Sequence, residues 1–372
     1  MNLTKLTLHQ VDMPLVAPFT TSFSTQVTKH VLLLRAECCI GGTVVTGWGE
    51  CVAMADPLYS SEYLAGAADV IRRWLAPKLF AATDFTAETV ADLLKPIVGH
   101  RMAKAALEMA VLDVQLRSRD QSFASYLGTV RQTVPSGVSV GIQESVPTLL
   151  KVVNDYVDQG YARIKLKITP GMDLEPVGAV RKEFGDELLL QVDANAAYTL
   201  ADSTRLRRLD EFNLLLIEQP LGEEDLRQHA ELAQMMATPI CLDESIVSAE
   251  SAADAISLGA AAVINIKPGR VGGYLEARRI HDLARAHGIA VWCGGMLETG
   301  IGRAANAALA GLPGFTLPGD ISGSDRFYTE DITESILMRD GEVTVPDGPG
   351  FGVEVLPERL KKFGVGSEEL RG

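Results

Sequence analysis

The feature that most constrains the fold of this chain is a series of short apolar runs that each end in an ionisable residue. Five such runs follow one another at intervals of about 25 residues, the length of one strand, one helix and their connections. Their charged residues are Lys167, Asp193, Glu218, Asp243 and Lys267. A spacing this regular indicates successive βα units, with the charged residues at the same end of each strand.

The βα pattern extends over eight predicted strands. They cover residues 137–141, 162–168, 188–195, 214–220, 239–245, 262–268, 290–295 and 315–321. Each is nearly all apolar, which is typical of strands buried in a parallel sheet, and amphipathic helical segments separate them. Eight such strands predict an α/β fold with a closed (β/α) barrel. The alternative, a doubly wound open sheet, needs fewer strands and usually a glycine-rich phosphate loop after the first one.

The segments on either side of the barrel pattern differ from it. Residues 1–60 alternate as antiparallel strands and residues 61–127 carry apolar residues at helical spacing, which together indicate a small α+β domain. After residue 321, a hairpin pattern rich in glycine and proline predicts that the tail returns to this first domain. The prolines and small polar residues of 13–23 are typical of a loop, which we expect to cover the barrel mouth.

Composition limits the partners of the chain. Its 34 Lys and Arg residues against 48 Asp and Glu residues give a formal net charge of −14, which argues against binding to nucleic acid or to an anionic membrane. No apolar stretch approaches the roughly 18 residues of a membrane span, and the N-terminal residues lack the apolar core of a signal peptide. Five cysteines without metal-ligand spacing favour a reducing compartment. We therefore expect a cytoplasmic protein with no nucleic-acid or membrane partner.

The charged strand ends predict a metal site. The C-terminal ends of barrel strands meet at one mouth, where the active sites of this fold lie. Three carboxylates converging there, Asp193, Glu218 and Asp243, cannot all stay charged without a cation. Since they are hard oxygen ligands and neither His nor Cys accompanies them, the pattern favours Mg²⁺ or Mn²⁺ over zinc. For any one of these acids, a strand-end cap or half of an ion pair is the alternative role.

Two lysines flank the acids. Lys167 on the second strand and Lys267 on the sixth lie on opposite sides of an eight-stranded barrel, and a lysine that loses its proton serves as a general base. Lys165 shares a strand face with Lys167, because side chains alternate with a period of two, and either a chemical role or a salt bridge fits it. Ser139 lies in a G-x-S-x-G pattern inside the first strand rather than at a strand-to-helix turn, so we expect it to line the mouth and not to act as a nucleophile.

Several motifs resemble those of the enolase superfamily. They are KLK at 165–167, VDAN at 192–195, IEQP at 217–220, LDES at 242–245, NIKPGRVGG at 265–273 and GGMLETGIGRAA at 294–305. A K-x-K strand that faces a second lysine is similar to the muconate-lactonizing subgroup. The likeness is strongest to the o-succinylbenzoate synthase / N-acylamino-acid (N-succinylamino-acid) racemase family, and it extends over essentially the whole chain.

The resemblance implies a modified (β/α)7β barrel, residues 128–322, under an α+β capping domain of residues 1–127 that residues 323–372 complete. It also implies bound Mg²⁺, for which Mn²⁺ or another divalent cation can substitute. The residues that it assigns are Asp193, Glu218 and Asp243 as metal ligands; Lys165, Asn195 and Glu244 as supporting residues; Lys167 and Lys267 as the acid/base pair; and Phe19, Tyr59, Ser139, Gly295, Met296, Leu297 and Phe327 as substrate contacts.

The chemistry implied by the resemblance is removal of a proton α to a carboxylate through an enediolate intermediate. Two reactions fit the same residues: dehydration by o-succinylbenzoate synthase, a step of menaquinone biosynthesis, and racemisation of N-acylamino acids. A muconate-type cycloisomerase or a dipeptide epimerase is the alternative within the subgroup. A non-catalytic, metal-dependent binding protein is the alternative from another class, although the presence of both lysines argues against it. The expected partners are a small carboxylate substrate and further copies of the chain in a homo-oligomer.

Overall fold

The protein is described by a computed structural model that covers residues 1–21 and 24–372. Its strands are β1 (Asn2–Thr20), β2 (Thr25–Ile40), β3 (Thr43–Cys51), β4 (Thr133–Pro135), β5 (Gly137–Val140), β6 (Arg163–Lys167), β7 (Leu190–Asp193), β8 (Ile217–Glu218), β9 (Ile240–Leu242), β10 (Val263–Ile266), β11 (Ala290–Cys293), β12 (Met338–Arg339), β13 (Glu342–Thr344) and β14 (Gly364–Arg371).

Its α-helices are α1 (Leu64–Val70), α2 (Ala76–Ala81), α3 (Ala87–Leu94), α4 (Arg101–Ser118), α5 (Phe123–Leu127), α6 (Val146–Asp158), α7 (Leu174–Phe184), α8 (Ser203–Leu206), α9 (Leu226–Ala233), α10 (Ala249–Leu258), α11 (Pro268–Val271), α12 (Tyr274–Ala286), α13 (Gly300–Ala310) and α14 (Pro357–Phe363). A π-helical segment, Ile71–Leu75, joins α1 to α2, and Leu200–Asp202, Arg207–Phe212 and Ser324–Arg326 form 3-10 helices.

The N-terminal strands form an antiparallel sheet in the order β14-β1-β2-β3. This sheet packs on α4, a helix that is buried along most of its length. The contact is closest at Gly49 of β3, where a Cβ atom would lie 2.1 Å from the carbonyl oxygen of Ala106. Only glycine lets two backbones approach so closely, so this residue fixes how the sheet lies on the helix.

The structure corrects the prediction of a loop at residues 13–23. β1 continues to Thr20 and pairs with β2. The register of this pairing shifts between Pro14 and Phe19, but the strand does not end there, because a proline removes only its own N–H donor from the ladder. The tip of the hairpin lies against the end of β5. The contact is so close that a Cβ atom on Gly141 would be 2.6 Å from the Thr20 carbonyl oxygen. Ser22 and Phe23 of the expected loop lie outside the described residues.

The barrel is built from seven parallel strands, β5 to β11, which neighbour one another in chain order. The predicted eighth strand, residues 315–321, is reduced to two parallel bridges, one from Phe315 to Val291 of β11 and one from Gly319 to Ser136 beside β5. These bridges join the last strand to the first, so the sheet closes. The prediction of an α/β chain with a (β/α)7β barrel and an α+β cap is therefore confirmed.

The C-terminal segment runs back to the N-terminal sheet. β12 and β13 form the predicted hairpin, and β13 also pairs with β4. β14 pairs antiparallel with β1 along nearly its whole length. The division into residues 1–127 with 323–372 and residues 128–322 stays a prediction. In the described part of the chain, no helix is long and apolar enough to cross a membrane.

A buried carboxyl group links the cap to the barrel. Glu108 of α4 is 2% exposed, and its Oε1 accepts hydrogen bonds from the backbone N–H groups of Tyr274 (2.6 Å) and Leu275 (3.2 Å). These amides open α12 and have no partner within their own helix, so Glu108 caps a barrel helix from another domain. Burial raises the pKa of Glu108 to about 8. The hydrogen bonds from the two amides lower this pKa, whereas the charges of Glu276 and Glu88 raise it further.

This carboxyl group makes stability depend on pH. In the unfolded chain Glu108 ionises near its ordinary pKa of 4.5, whereas the folded protein keeps its proton until about pH 8. The native state therefore binds more protons across this window, and Glu108 lowers the free energy of unfolding as the pH rises through it. We predict that Glu108→Gln flattens the pH dependence of the urea midpoint between about pH 5 and 8. Glu358→Gln, at an exposed residue of α14, serves as the control; equal slopes in wild type and Glu108→Gln would contradict the account.

Candidate active site

Three carboxylates lie side by side at the barrel mouth. Asp193 ends β7, Glu218 ends β8, and Asp243 directly follows β9. Asp193 and Glu218 are register partners in neighbouring parallel strands, which brings their side chains to the same edge of the sheet. The three residues are 1%, 0% and 0% exposed. Charges this deeply buried require compensating partners.

Each carboxylate is bonded to a lysine amine. The distances are 2.6 Å from Lys167 Nζ to Asp193 Oδ2, 3.0 Å from Lys165 Nζ to Glu218 Oε2, and 2.7 Å from Lys267 Nζ to Asp243 Oδ2. Burial alone would disfavour the ionised form of Asp193, yet the cations of Lys167 and Lys165 lower its pKa to about 2. The mouth is thus an alternation of acids and amines that neutralise one another.

Lys165 is held on its other side by the last barrel segment. Its Nζ donates to Asp320 Oδ2 at 2.6 Å, and it lies 4.7 Å from the ring centroid of Trp292. The fully buried Arg163, two residues earlier on β6, donates to the other oxygen of Asp320 at 2.8 Å. Burial opposes ionisation of Asp320, but these two cations hold its pKa well below the ordinary value. Asp320 therefore bridges two buried cations at the seam where the barrel closes.

Lys267 lies beneath the cap. Its Nζ is 3.2 Å from the hydroxyl of Tyr59, whose ring faces the amine at 4.6 Å from the centroid. Tyr59 also donates to Asp243 Oδ1 at 3.2 Å, and the Arg270 guanidinium contacts the same carboxylate. Burial lowers the pKa of Lys267, but Tyr59 and the acids around it, with Glu218 among them, raise this pKa above its ordinary value. The cap thus supplies one wall of the lysine's pocket.

Asn195 and Glu244 form a chain beside the acids. Asn195 Oδ1 accepts from Lys167 Nζ at 2.7 Å, and its Nδ2 donates to Glu244 Oε1 at 3.0 Å. Asn195 has φ of +42°, a backbone conformation that Asn tolerates better than most residues. Glu244 Oε2 is buried with no hydrogen-bond partner among the described residues. Burial is the largest cause, and the charge of Asp193 the next, of a rise in the pKa of Glu244 to about 7.

One group of expected substrate contacts lies where the hairpin meets the barrel. The rings of Phe19 and Phe327 pack edge to face, with centroids 6.3 Å apart and an interplanar angle of 87°. The Arg326 guanidinium stacks 4.9 Å from the Phe327 centroid and donates to the Ser139 carbonyl at 3.4 Å. Ser139 is the register neighbour of Lys165, and its buried hydroxyl has no hydrogen-bond partner among the described residues.

The remaining expected contacts follow β11. Gly295 packs against the last barrel segment, since a Cβ atom there would lie 2.8 Å from the Asp320 carbonyl oxygen. Met296 is buried, and Leu297 has φ of +57°, a left-handed conformation that is costly for a branched side chain. The Tyr328 hydroxyl donates to the Leu297 carbonyl and helps to hold this conformation.

Several residues of the mouth were not predicted from the sequence. Arg163 and Asn265 each precede a lysine of the mouth by two residues, so the period of a strand could have found them; Asn265 Nδ2 donates to Glu218 Oε1 at 2.7 Å. Arg270 and Asp320 lie outside the strand ladders, where no periodicity marks the direction of a side chain.

Comparisons with known proteins agree with this geometry. The family profile "Mandelate racemase / muconate lactonizing enzyme, N-terminal domain" matches residues 3–128, and "Enolase C-terminal domain-like" matches residues 148–359. The chain is 64% identical over 360 residues to the N-succinylamino acid racemase of an Amycolatopsis species, covering 97% of each. It is 44% identical over 363 residues to the o-succinylbenzoate synthase of Geobacillus kaustophilus, covering 97% of this chain and 96% of the relative. The crystal structure of an enolase-superfamily member from Listeria innocua superposes with a TM-score of 0.95 at 41% identity, covering 100% of this chain and 99% of that one.

The chain belongs to the mandelate racemase / muconate lactonizing enzyme family of the enolase superfamily. The resemblance inferred from its motifs is therefore confirmed. Enzymes of this superfamily act on small carboxylate substrates and generally use a divalent metal ion.

The barrel mouth provides suitable donors for such an ion. Asp193, Glu218 and Asp243 are buried carboxylates on adjacent strands, and Glu244 adds a buried oxygen without a partner among the described residues. Hard divalent cations prefer oxygen donors of this kind. Over residues 1–21 and 24–372, no three Asp, Glu, His or Cys side chains are oriented together to hold a metal ion, and each of the three carboxylates is turned to a lysine.

The bridge made by Asp320 leads to a stability prediction. Asp320→Asn removes the charge that compensates Lys165 and Arg163, which then remain buried with fewer partners. Removing one partner of a buried ion pair typically costs about 3 to 5 kcal/mol, and we predict a loss of this size in the free energy of unfolding measured with urea. Asp325→Asn, at an exposed acid five residues later, should change it by less than about 0.5 kcal/mol. Equal stability of the two variants would show that the Asp320 bridge is not needed.

Proposed function

We propose that this protein is a metal-dependent racemase of N-acylamino acids, with N-succinylamino acids as the preferred substrates. The observation that carries this proposal is a pair of lysines at two strand ends of the mouth, Lys167 at the end of β6 and the buried Lys267 directly after β10. These strands are the second and sixth of the eight strand positions in the barrel, so Lys167 and Lys267 face each other across its mouth. Racemisation needs a proton to leave one face of a planar intermediate and return to the other, which requires two acid/base groups.

The proposed reaction begins when one lysine, as a neutral amine, accepts the proton α to the substrate carboxylate. The electron pair of the broken C–H bond moves into the carboxylate, and the other lysine, as an ammonium, donates a proton to the opposite face. Asn195 holds the amine of Lys167 and Tyr59 holds that of Lys267, and neither residue is one of the three proposed metal ligands. Each amine thus has a hydrogen-bond partner besides the carboxylates, which limits the freedom that would slow proton transfer.

We propose Mg²⁺, replaceable by Mn²⁺, as the divalent ion. Asp193, Glu218 and Asp243 would hold it, with Asn195 and Glu244 as supporting residues. When bound, it would neutralise the negative charge that develops on the substrate carboxylate as the α-proton leaves. Because the same carboxylates accept hydrogen bonds from lysine amines, the lysines and the ion compete for one set of oxygens.

The substrate side of the site is proposed from the cap and from two barrel segments. Phe19, Phe327 and Ser139 would surround one part of the substrate, since the first two rings pack together beside β5. Tyr59 would border the carboxylate end. The backbone of residues 295–297 would contact the acyl group. The succinyl preference is supported by the 64% identical relative, which is an N-succinylamino acid racemase.

A second activity, o-succinylbenzoate synthesis, is favoured by the relatives at 44% identity that carry this name. A cyclohexadiene carboxylate with a succinyl side chain would lose water, with Lys167 moving the proton on one face and Lys267 acting only as a cation. The muconate cycloisomerase alternative has weaker support, at 29% identity. We also propose a cytoplasmic homo-oligomer that takes part in menaquinone biosynthesis where the synthase activity operates; the five unpaired cysteines agree with a reducing compartment.

The two lysines can be tested separately by α-deuterium incorporation in D₂O into each enantiomer of N-succinylphenylglycine. Wild type should exchange both enantiomers. Lys167→Ala and Lys267→Ala should each exchange only the enantiomer that the surviving lysine reaches, and net racemisation should fall by at least about 100-fold, because an essential acid/base group is lost.

Lys151→Ala, at an exposed lysine of α6, is the matched control and should behave as wild type. Lys267→Arg keeps the positive charge but provides no usable base, so it should lose racemisation more completely than dehydration. Exchange of both enantiomers at wild-type rates by Lys167→Ala would contradict the two-base proposal.

A further inference from the structure

A second carboxylate of the cap reaches into the barrel, at a different helix from Glu108. Glu50 of β3 is 3% exposed. Its carboxylate accepts hydrogen bonds from the backbone N–H of Thr299 (2.9 Å), the Thr299 hydroxyl (2.7 Å) and the backbone N–H of Gly302 (3.0 Å). Thr299 is the N-cap residue of α13, and its hydroxyl is turned to Glu50 rather than to its own helix. A residue of the cap therefore fixes the start of this barrel helix.

The contact with Glu50 has no room for adjustment. A Cβ atom on Gly302 would lie 2.9 Å from Glu50 Oε2 and 2.7 Å from Glu298 Cγ. The buried Glu298 is itself bonded to Asn306 at 3.0 Å. Burial, reinforced by the charge of Glu298, raises the pKa of Glu50 to about 7. The carboxyl group is therefore kept in a costly position where it serves as an acceptor for three donors.

The segment that Glu50 anchors is the one expected to contact substrate. Residues 294–299 connect β11 to α13, and Leu297 within them has φ of +57°. Arg303 donates to the carbonyl of Glu298 at 2.8 Å, and Tyr328 donates to that of Leu297. A strained backbone of this kind persists only where its surroundings hold it from several directions. Glu50 is the member of this set that comes from the N-terminal strands of the cap.

We propose that Glu50 is a positioning residue, through which β3 of the cap sets the backbone of residues 294–299 and thereby the fit of the substrate acyl group. This inference rests on the proposed function, since the substrate is the one proposed above. The hydrogen-bond partners of Glu50 are Thr299 and Gly302, not Lys167, Lys267 or a proposed metal ligand, so its effect falls on substrate binding rather than on proton transfer.

The matched control is Glu108→Gln. Glu108 also belongs to the cap, is also buried, and also accepts from the first amides of a barrel helix, but the two residues directly before α12, Gly272 and Gly273, are not expected substrate contacts. A purely structural effect of losing a cap-to-barrel carboxylate should appear in both variants. A positioning effect should appear only at Glu50.

The first measurement is hydrogen exchange followed by mass spectrometry, which does not depend on activity. Glu50→Gln places an amide N–H₂ group against N–H donors, and amides in residues 294–303 should exchange at least roughly tenfold faster than in wild type. In Glu108→Gln the faster exchange should be confined to the start of α12. Unchanged protection of residues 294–303 in folded Glu50→Gln would overturn the inference.

The second measurement is steady-state kinetics with N-succinylphenylglycine. In Glu50→Gln the KM should rise roughly tenfold while kcat changes by less than about threefold, because uniform substrate binding is weakened. Glu108→Gln should keep both constants near wild type. A fall in kcat at constant KM, or an equal rise of KM in both variants, would overturn the inference.

Two further outcomes are decisive. If Glu50→Gln does not fold, Thr299→Val removes one of the same three hydrogen bonds from the barrel side at nearly constant shape, and it should give the same exchange pattern and the same direction of KM; wild-type exchange in this variant would overturn the inference. If wild type neither racemises N-succinylphenylglycine nor forms o-succinylbenzoate, the proposed function fails, and the exchange data alone then decide whether Glu50 positions the segment.

Discussion

The structure depends on how it neutralises charge at the barrel mouth. Three carboxylates with at most 1% exposure lie on consecutive strand ends, and isolated charges at such depth would cost far more than a domain's whole stability. The amines of Lys165 and Lys167 on β6 and of Lys267 after β10, with the Arg270 guanidinium, balance them. The lysines that allow these carboxylates to be buried are also the groups that we propose to transfer protons.

The cap contributes more than a cover over this mouth. Glu108 and Glu50 each supply the acceptors that begin a barrel helix, and Tyr59 borders the amine of Lys267. The backbone amides of α12 and α13 therefore depend on side chains from the N-terminal part of the chain. The hydrogen bonds of Tyr59 and Glu50 lie next to the proposed substrate site, so the cap can influence that site without closing or opening.

The sequence predicted those parts of the molecule that follow a period. The βα spacing located seven strands and brought Asp193, Glu218 and Asp243 to one edge, because parallel strand ends must meet there. The eighth strand was predicted too long, since only two residues of it join the ladder, and β1 was predicted too short, since its prolines shift the pairing without stopping it. Long-range partners such as Arg270 and Glu50 could not be predicted, because their directions are set by tertiary packing rather than by any local repeat.

The most direct test of the account is a crystal structure of the protein soaked with Mn²⁺, with the ion located by its anomalous scattering. We predict one ion bound by Asp193, Glu218 and Asp243, with the amines of Lys167 and Lys267 no longer bonded to the oxygens that bind it. An ion at another place in the protein, or three carboxylates that keep all their lysine partners in crystals of an enzyme activated by Mn²⁺, would contradict the account.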